Sequence, residues 1–90
     1  MTAYALPADA CIRNVQDIWP ELRAYIGGVQ SVLEIDASAL VRPDTALTQM
    51  LAMAVLRARE NGKKLTVTGA SQHLREQVRI LALDFVLEAN

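Results

Sequence analysis

The stretch that decides the fold runs from Val32 to Leu51 and reads VLEIDASALVRPDTALTQML. Its first residues, Val32 to Ile35, form an apolar run with β-branched side chains, which predicts a strand. A short connector follows, and Asp44 then stands where a carboxylate can cap the free N–H groups of a helix start. The stretch therefore predicts a strand, a connector and a helix that begins at Thr45.

The helix that begins at Thr45 is predicted to end near Asn61, because Gly62 tolerates the left-handed backbone of a helix terminus. With about 100° per residue, one side gathers apolar residues for the core: Leu47, Met50, Leu51, Ala54 and Ala58. The opposite side gathers Thr45, Gln49, Ala52, Met53 and Leu56. Because this opposite side is also largely apolar, we predict that it is either buried a second time or meets a partner.

Further strands are predicted on both sides of this stretch. Ala3 to Leu6 reads as a strand that Pro7 stops, and residues 10–12 read as its extension or as a short edge segment. Residues 65–68 are rich in β-branched side chains, and residues 84–87 form a last short strand. About four strands are therefore expected in the sheet.

Two further helices are predicted between these strands. Asn14 is a suitable N-cap for the first, which ends at a Gly-Gly pair. Pro20 removes one backbone hydrogen bond, so this helix either kinks there or begins near Trp19 after a short turn. Ser71 is a suitable N-cap for the last helix, which is expected from Gln72 to about Leu83.

Strands and helices thus alternate along the chain, which indicates an α/β fold with helical crossovers. We expect one small domain over residues 1–90, with a mixed β-sheet of about four strands and three helices packed mainly on one face. The 52% hydrophobic composition suffices for a packed core.

The composition excludes several classes of function. A net charge of −1 gives no cationic surface for nucleic acid, and 4% aromatic residues give few side chains for stacking on bases. No signal peptide and no apolar run of membrane-spanning length is recognisable, so we expect a cytoplasmic protein without direct membrane insertion. The only cysteine, Cys11, excludes an internal disulfide and fits a reducing compartment.

Candidate catalytic and metal-binding residues are sparse. The single histidine, His73, can be grouped with Ser38 and either Asp36 or Asp44 as a nucleophile system, but no motif orients the set. One His and one Cys are too few for a metal site. We therefore predict no enzyme activity and no cofactor, and keep a small hydrolase or ligand-binding protein as a rival hypothesis.

The pair Asp44-Thr45 allows two interpretations. In the simpler one, Asp44 caps the helix and Thr45 is an ordinary polar neighbour. In the other, Thr45 is a phosphorylation switch, since a phosphoryl group would add a charge of about −1.5 to −2 at the helix start. The helix would tolerate that charge. A partner docked over the adjacent apolar side would not, because the new charge would have to be desolvated.

The order of these motifs resembles the STAS domain family, which includes the bacterial anti-sigma factor antagonists. Residues 35–40 followed by Asp44-Thr45-Ala46 are similar to the family's strand, connector and Asp-Ser/Thr motif. Residues 61–67 are similar to its helix exit and next strand, and residues 71–86 to its final helix and end. The resemblance covers about residues 3–87. One departure is Leu47, which stands where the family usually has glycine and which we expect to face the core.

The resemblance implies a non-enzymatic regulatory module that acts in signal transduction by binding a partner protein. Thr45 would be the phosphoacceptor and Asp44 its acidic neighbour, and Gln49, Ala52, Met53 and Leu56 would form the partner-binding surface. The partner would be an anti-sigma factor kinase. Alternatively, the chain resembles the small STAS subunit of a phospholipid-trafficking ABC transporter, whose partner is the ATPase, or STAS proteins associated with chemotaxis kinases. Self-association through the same helix face is a third possibility.

Overall fold

The computed structural model describes residues 3–87. Three strands and three helices alternate along the chain, and a short 3₁₀ helix follows them. The elements are β1 (Tyr4–Ala5), α1 (Val15–Ile26), β2 (Val32–Asp36), α2 (Thr45–Glu60), β3 (Lys64–Thr68), α3 (Gln72–Ile80) and the 3₁₀ helix Asp84–Val86. The α/β class and the three helices are thus as predicted.

The sheet has the order β1-β2-β3, and both strand pairs are parallel. Burial alternates along β2 and β3, since Leu33, Ile35, Leu65 and Val67 are buried. These side chains form one apolar face. The helices pack on that face, where α2 contacts α1, α3 and β3. The expected mixed sheet is wrong for the described residues, because each connection between strands passes through a helix and returns the chain in the same direction.

The beginning of the chain differs from the prediction. β1 contains only two residues, and residues 10–12 form a turn rather than a strand. In this turn the Asn14 side chain accepts the Cys11 N–H at 2.7 Å, so the backbone bonds locally instead of pairing with a strand. α1 begins at Val15 and continues through Pro20, whose ring lies on the exposed side. Only one backbone hydrogen bond is missing there.

The end of the described chain also differs, since Asp84–Val86 forms a 3₁₀ helix and not a fourth strand. α3 ends at Ile80, before the predicted Leu83, because Ala82 adopts a left-handed backbone with φ of 57°. Two bonds close this helix end in a Schellman motif: Ala82 N–H to the Arg79 carbonyl, and Leu83 N–H to the Val78 carbonyl. The reversed chain then folds Val86 into the core.

A side chain completes the hydrogen bonding of β2 where β1 is too short to do so. β1 pairs only with Ile35 and Asp36 of β2. One residue earlier, the Tyr25 hydroxyl accepts the Glu34 N–H at 3.0 Å and donates to the Glu34 carbonyl at 3.1 Å. A hydroxyl from α1 thus takes the place of a strand partner, which avoids leaving two backbone groups unpaired.

Candidate functional site

Thr45 is the first residue of α2, and its side chain is exposed. Within the described part of the chain, its hydroxyl makes no hydrogen bond. The connector before the helix lies beside the loop that follows β1, since the Val41 N–H bonds to the Ala8 carbonyl at 3.1 Å. The predicted helix start is therefore confirmed, and it presents a hydroxyl that is available to another molecule.

Asp44 is the N-cap of α2, as predicted, and it also holds a second segment. One carboxylate oxygen accepts the Leu47 N–H at 2.9 Å, and the other accepts the Ile12 N–H at 2.8 Å. The Asp44 carbonyl accepts the Thr48 hydroxyl at 2.9 Å. Because both carboxylate oxygens bond to backbone, the carboxylate fixes Thr45 in place by joining two loops.

Leu47 faces the core and is 0% exposed, as the sequence predicts. It lies on the side of α2 opposite Thr45, and Thr48 beside it is also buried. A leucine at this position therefore adds no bulk to the exposed side of the helix start. The departure from the family pattern at Leu47 does not obstruct access to the Thr45 hydroxyl.

Three of the four residues predicted to form the partner-binding surface are exposed. Met53 is 53% exposed and Leu56 is 47% exposed, and Gln49 lies between them and Thr45. Ala52 is a correction, because it is only 6% exposed. It lies on the stripe of α2 that leads to Arg59, whose guanidinium sits 5.5 Å from the centre of the Phe85 ring. α2 therefore contacts the 3₁₀ helix that contains Phe85 along the Arg59 end of this stripe.

The exposed side of α2 forms one wall of a groove whose other wall is α1. We call it the α1–α2 groove, and it consists of two hollows in a row. The proximal hollow, of about 280 Å³, is lined by Val15, Gln16, Trp19, Ala46, Gln49, Met50 and Met53. The distal hollow, of about 200 Å³, is lined by Trp19, Met53, Leu56, Arg57 and Glu60.

The residues from α1 in this groove are missing from the sequence prediction. Trp19 lines both hollows and is only half-buried. A signal was present, since Trp19 is a large apolar residue that falls outside the buried stripe Ile18, Leu22 and Ile26 of the same helix. The partner-binding surface that the sequence predicts on α2 alone is therefore one wall of a groove between α1 and α2.

The rival nucleophile set is not assembled in the described residues. His73 is exposed on α3 and bonds to neither Ser38 nor either aspartate. The Asp36 carboxylate instead accepts the Ser38 N–H at 2.9 Å. Hydrogen bonding from Ser38 lowers the pKa of Asp36, which keeps this carboxylate charged. No group of three or more His, Cys, Asp or Glu residues within residues 3–87 is arranged to hold a metal ion.

Comparison with known proteins agrees with this architecture. The family model described as "Mlab, STAS domain" matches residues 6–88. The chain belongs to the STAS family. No curated protein matches the chain.

Membership in the STAS family indicates a general kind of function. STAS domains are generally non-enzymatic modules that regulate or bind protein partners. The small α/β architecture with a parallel three-stranded sheet is consistent with that fold. Among residues 3–87, no helix combines the length and the apolar character that crossing a bilayer requires.

Proposed function

We propose that this STAS domain is a regulatory docking module of the anti-sigma factor antagonist type, which binds a partner protein through Thr45 and the exposed side of α2. The observation that carries the proposal is the position of Thr45. Its hydroxyl is exposed and free of hydrogen bonds within the described residues, and it borders the apolar groove that contains Met53 and Leu56. A partner on this groove would contact the hydroxyl and the apolar side chains together.

The apolar side chains supply the driving force for docking. Fully burying a Met or Leu side chain contributes about 1.5–3 kcal/mol. Because Met53 and Leu56 are each about half exposed, covering both is expected to contribute about 2 kcal/mol in total. Trp19, on the opposite wall of the groove, adds the kind of aromatic side chain that often dominates interface energies.

The site also suits control by phosphorylation of Thr45. The α2 N-terminus tolerates a phosphoryl group, because the helix dipole favours negative charge there. Asp44 already caps the Leu47 N–H, so the phosphoryl group would remain at the surface rather than replace the cap. A partner that covers Thr45 would then have to remove water from this charge, which weakens docking.

The exposed hydroxyl also supports a second candidate, in which docking is permanent. The chain would then be a STAS subunit of a phospholipid-transport ABC complex, or a chemotaxis-associated STAS protein. Its Thr45 hydroxyl would contact the partner directly, without phosphorylation. The two candidates differ in what the hydroxyl does, and substitutions at Thr45 separate them.

The test measures affinity for the partner encoded beside the gene, a kinase-type anti-sigma factor, an ABC ATPase or a chemotaxis kinase, by isothermal titration calorimetry. Thr45→Glu places a charge at the first position of α2 and is expected to weaken binding at least tenfold. Gln72→Glu is the matched control, because Gln72 is the exposed first residue of α3. Unchanged affinity of the Thr45→Glu variant would refute docking through Thr45.

A third variant distinguishes the two candidates. Thr45→Val keeps the shape of the side chain and removes the hydroxyl. For a phosphorylation switch, this variant should bind as tightly as the unmodified protein and become insensitive to the kinase. For a permanent hydroxyl contact, it should bind more weakly, because a partner group loses its hydrogen bond.

A further inference from the structure

The two hollows of the α1–α2 groove repeat along α2 with a spacing of seven residues. The α2 residues that line the proximal hollow are 46, 49, 50 and 53, and those that line the distal hollow are 53, 56, 57 and 60. Each residue of the second set lies seven positions after one of the first. With a rise of 1.5 Å per residue, the hollows are about 10.5 Å apart along the helix axis.

The distance between the two hollows indicates whether a helix or an extended segment fills the groove. In an α-helix, side chains seven residues apart lie on one face, about 10.5 Å from each other. In a β-strand, side chains on one face are about 6.7 or 13 Å apart, so an extended segment fills one hollow and misses the other. Amphipathic helices also dock in apolar grooves through side chains at positions i, i+3, i+4 and i+7.

The two hollows of the groove differ in the charge of the side chains that line them. The proximal hollow has no charged side chain, whereas the distal hollow has Arg57 and Glu60 at its rim. Both are exposed, and neither forms an ion pair within the part of the chain that is described. A complementary partner is therefore neutral around its first apolar side chain. Beside the second it carries an acidic side chain that pairs with Arg57 and points away from Glu60, because two carboxylates facing each other would repel.

We propose that the α1–α2 groove seats an amphipathic helix of the partner protein, with two large apolar side chains seven residues apart and an acidic residue next to the second. This inference rests on the proposed function, in that a protein partner docks on this side of α2. Trp19 and Met53 lie between the two apolar side chains and contact both. The partner is thus identified by its periodicity and its charge.

The first experiment uses a synthetic 16-residue stapled helix as the probe, with Leu at positions 5 and 12, Glu beside position 12 and no aromatic residue. Trp19, the only tryptophan of the chain, reports binding to the full-length protein by fluorescence. We expect saturable binding with a Kd below about 1 mM. An isomer with the second Leu moved to position 10, off the apolar face, should bind at least tenfold more weakly. A proline-rich extended peptide should behave like the isomer.

Substitutions of residues that line the groove test whether the probe helix binds there. Met53→Asp should weaken binding of the probe helix at least tenfold, whereas Ile80→Asp, at an exposed apolar residue of α3, should leave it unchanged. Arg57→Glu should also weaken binding, and replacing the Glu of the probe with Lys should restore it. Equal binding of the helix and its isomer, or no saturable fluorescence change at 1 mM, overturns the inference.

Failure of this inference is distinguishable from failure of the proposed function. If Thr45→Glu weakens partner binding but the probe helix does not bind, docking stands and the helical occupant is wrong. If the probe helix binds with the predicted spacing but Thr45→Glu leaves partner affinity unchanged, the groove stands and the role of Thr45 is wrong.

Discussion

Replacing Asp44 with alanine is expected to destabilise the protein by about 2–3 kcal/mol. The carboxylate caps α2 through the Leu47 N–H, and loss of such a cap typically costs about 1 kcal/mol. It also accepts the N–H of Ile12, which is 32 positions away in sequence. A hydrogen bond to a charged group contributes about 1.5–3 kcal/mol, and the lower value applies because this contact is exposed.

Urea unfolding followed by Trp19 fluorescence measures this loss. For a chain of 90 residues, a change of 1 kcal/mol shifts the melting temperature by about 5 °C. The Asp44→Ala variant should therefore melt about 10–15 °C lower. Asp44→Asn keeps one acceptor oxygen and should lose roughly half as much stability.

Ser71→Ala is the matched control, because Ser71 caps α3 through a single bond to the Leu74 N–H at 3.1 Å. Its loss should cost about 1 kcal/mol. If Asp44→Ala and Ser71→Ala were equally destabilising, the bond to Ile12 would contribute nothing. The conclusion that Asp44 joins two loops and so fixes Thr45 would then be wrong.

Three other predictions concern backbone conformation and pH. Ala82→Gly should raise the unfolding free energy by about 0.5–1 kcal/mol, because Ala82 has a positive φ of 57°, and a destabilised variant would contradict this. Gly62→Ala and Gly69→Ala place a Cβ at a φ of 71° in both cases. Only at Gly69 would that Cβ lie 3.0 Å from the backbone of the loop after β2, so this variant should lose clearly more stability in urea, and equal losses would refute the steric argument. Burial and the hydrogen bond to Glu21 raise the pKa of Tyr4 to about 12. Because the ordinary pKa of tyrosine is 10.0, the protonated Tyr4 side chain stabilises the folded state fully below pH 10, and this contribution to the unfolding free energy should be lost between about pH 10 and 12. An NMR titration of the Tyr4 ring should show this pKa falling in the Glu21→Gln variant, and an unchanged pKa would exclude Glu21 as a cause.

Local signals in the sequence predict the centre of the fold well. Asp44 and Ser71 cap α2 and α3 as predicted. β2, β3 and the starts of α2 and α3 follow from apolar periodicity and capping residues, because these elements bury one regular face against the core. α1 begins after Asn14, but the Asn14 side chain makes no cap bond and accepts the Cys11 N–H instead. The core position of Leu47 follows from the same periodicity.

The predictions that fail depend on contacts between distant segments. Ala52 falls on the outer side of α2 by its angle alone, but it is buried, on the stripe that leads to Arg59 and the Phe85 ring. The periodicity of α2 carries no information about packing by such a distant segment. The left-handed turn after α3 occurs at Ala82, whereas a glycine would be expected at such a position. The sequence therefore contains no local signal that the chain reverses there and forms a 3₁₀ helix in place of the predicted fourth strand. The α1–α2 groove requires the relative placement of two helices, which neither helix specifies alone.

Tyr25 has a consequence for how separate molecules of this protein meet. The edge of a sheet with free N–H and C=O groups is a template on which a strand from another chain can add, and this is a common route to aggregation. Beside the two-residue β1, the backbone of Glu34 would present such an edge. The Tyr25 hydroxyl occupies both of its groups. A single phenol on a helix therefore covers the part of β2 that the short β1 leaves unpaired, so that this stretch of backbone is closed to a strand from another molecule.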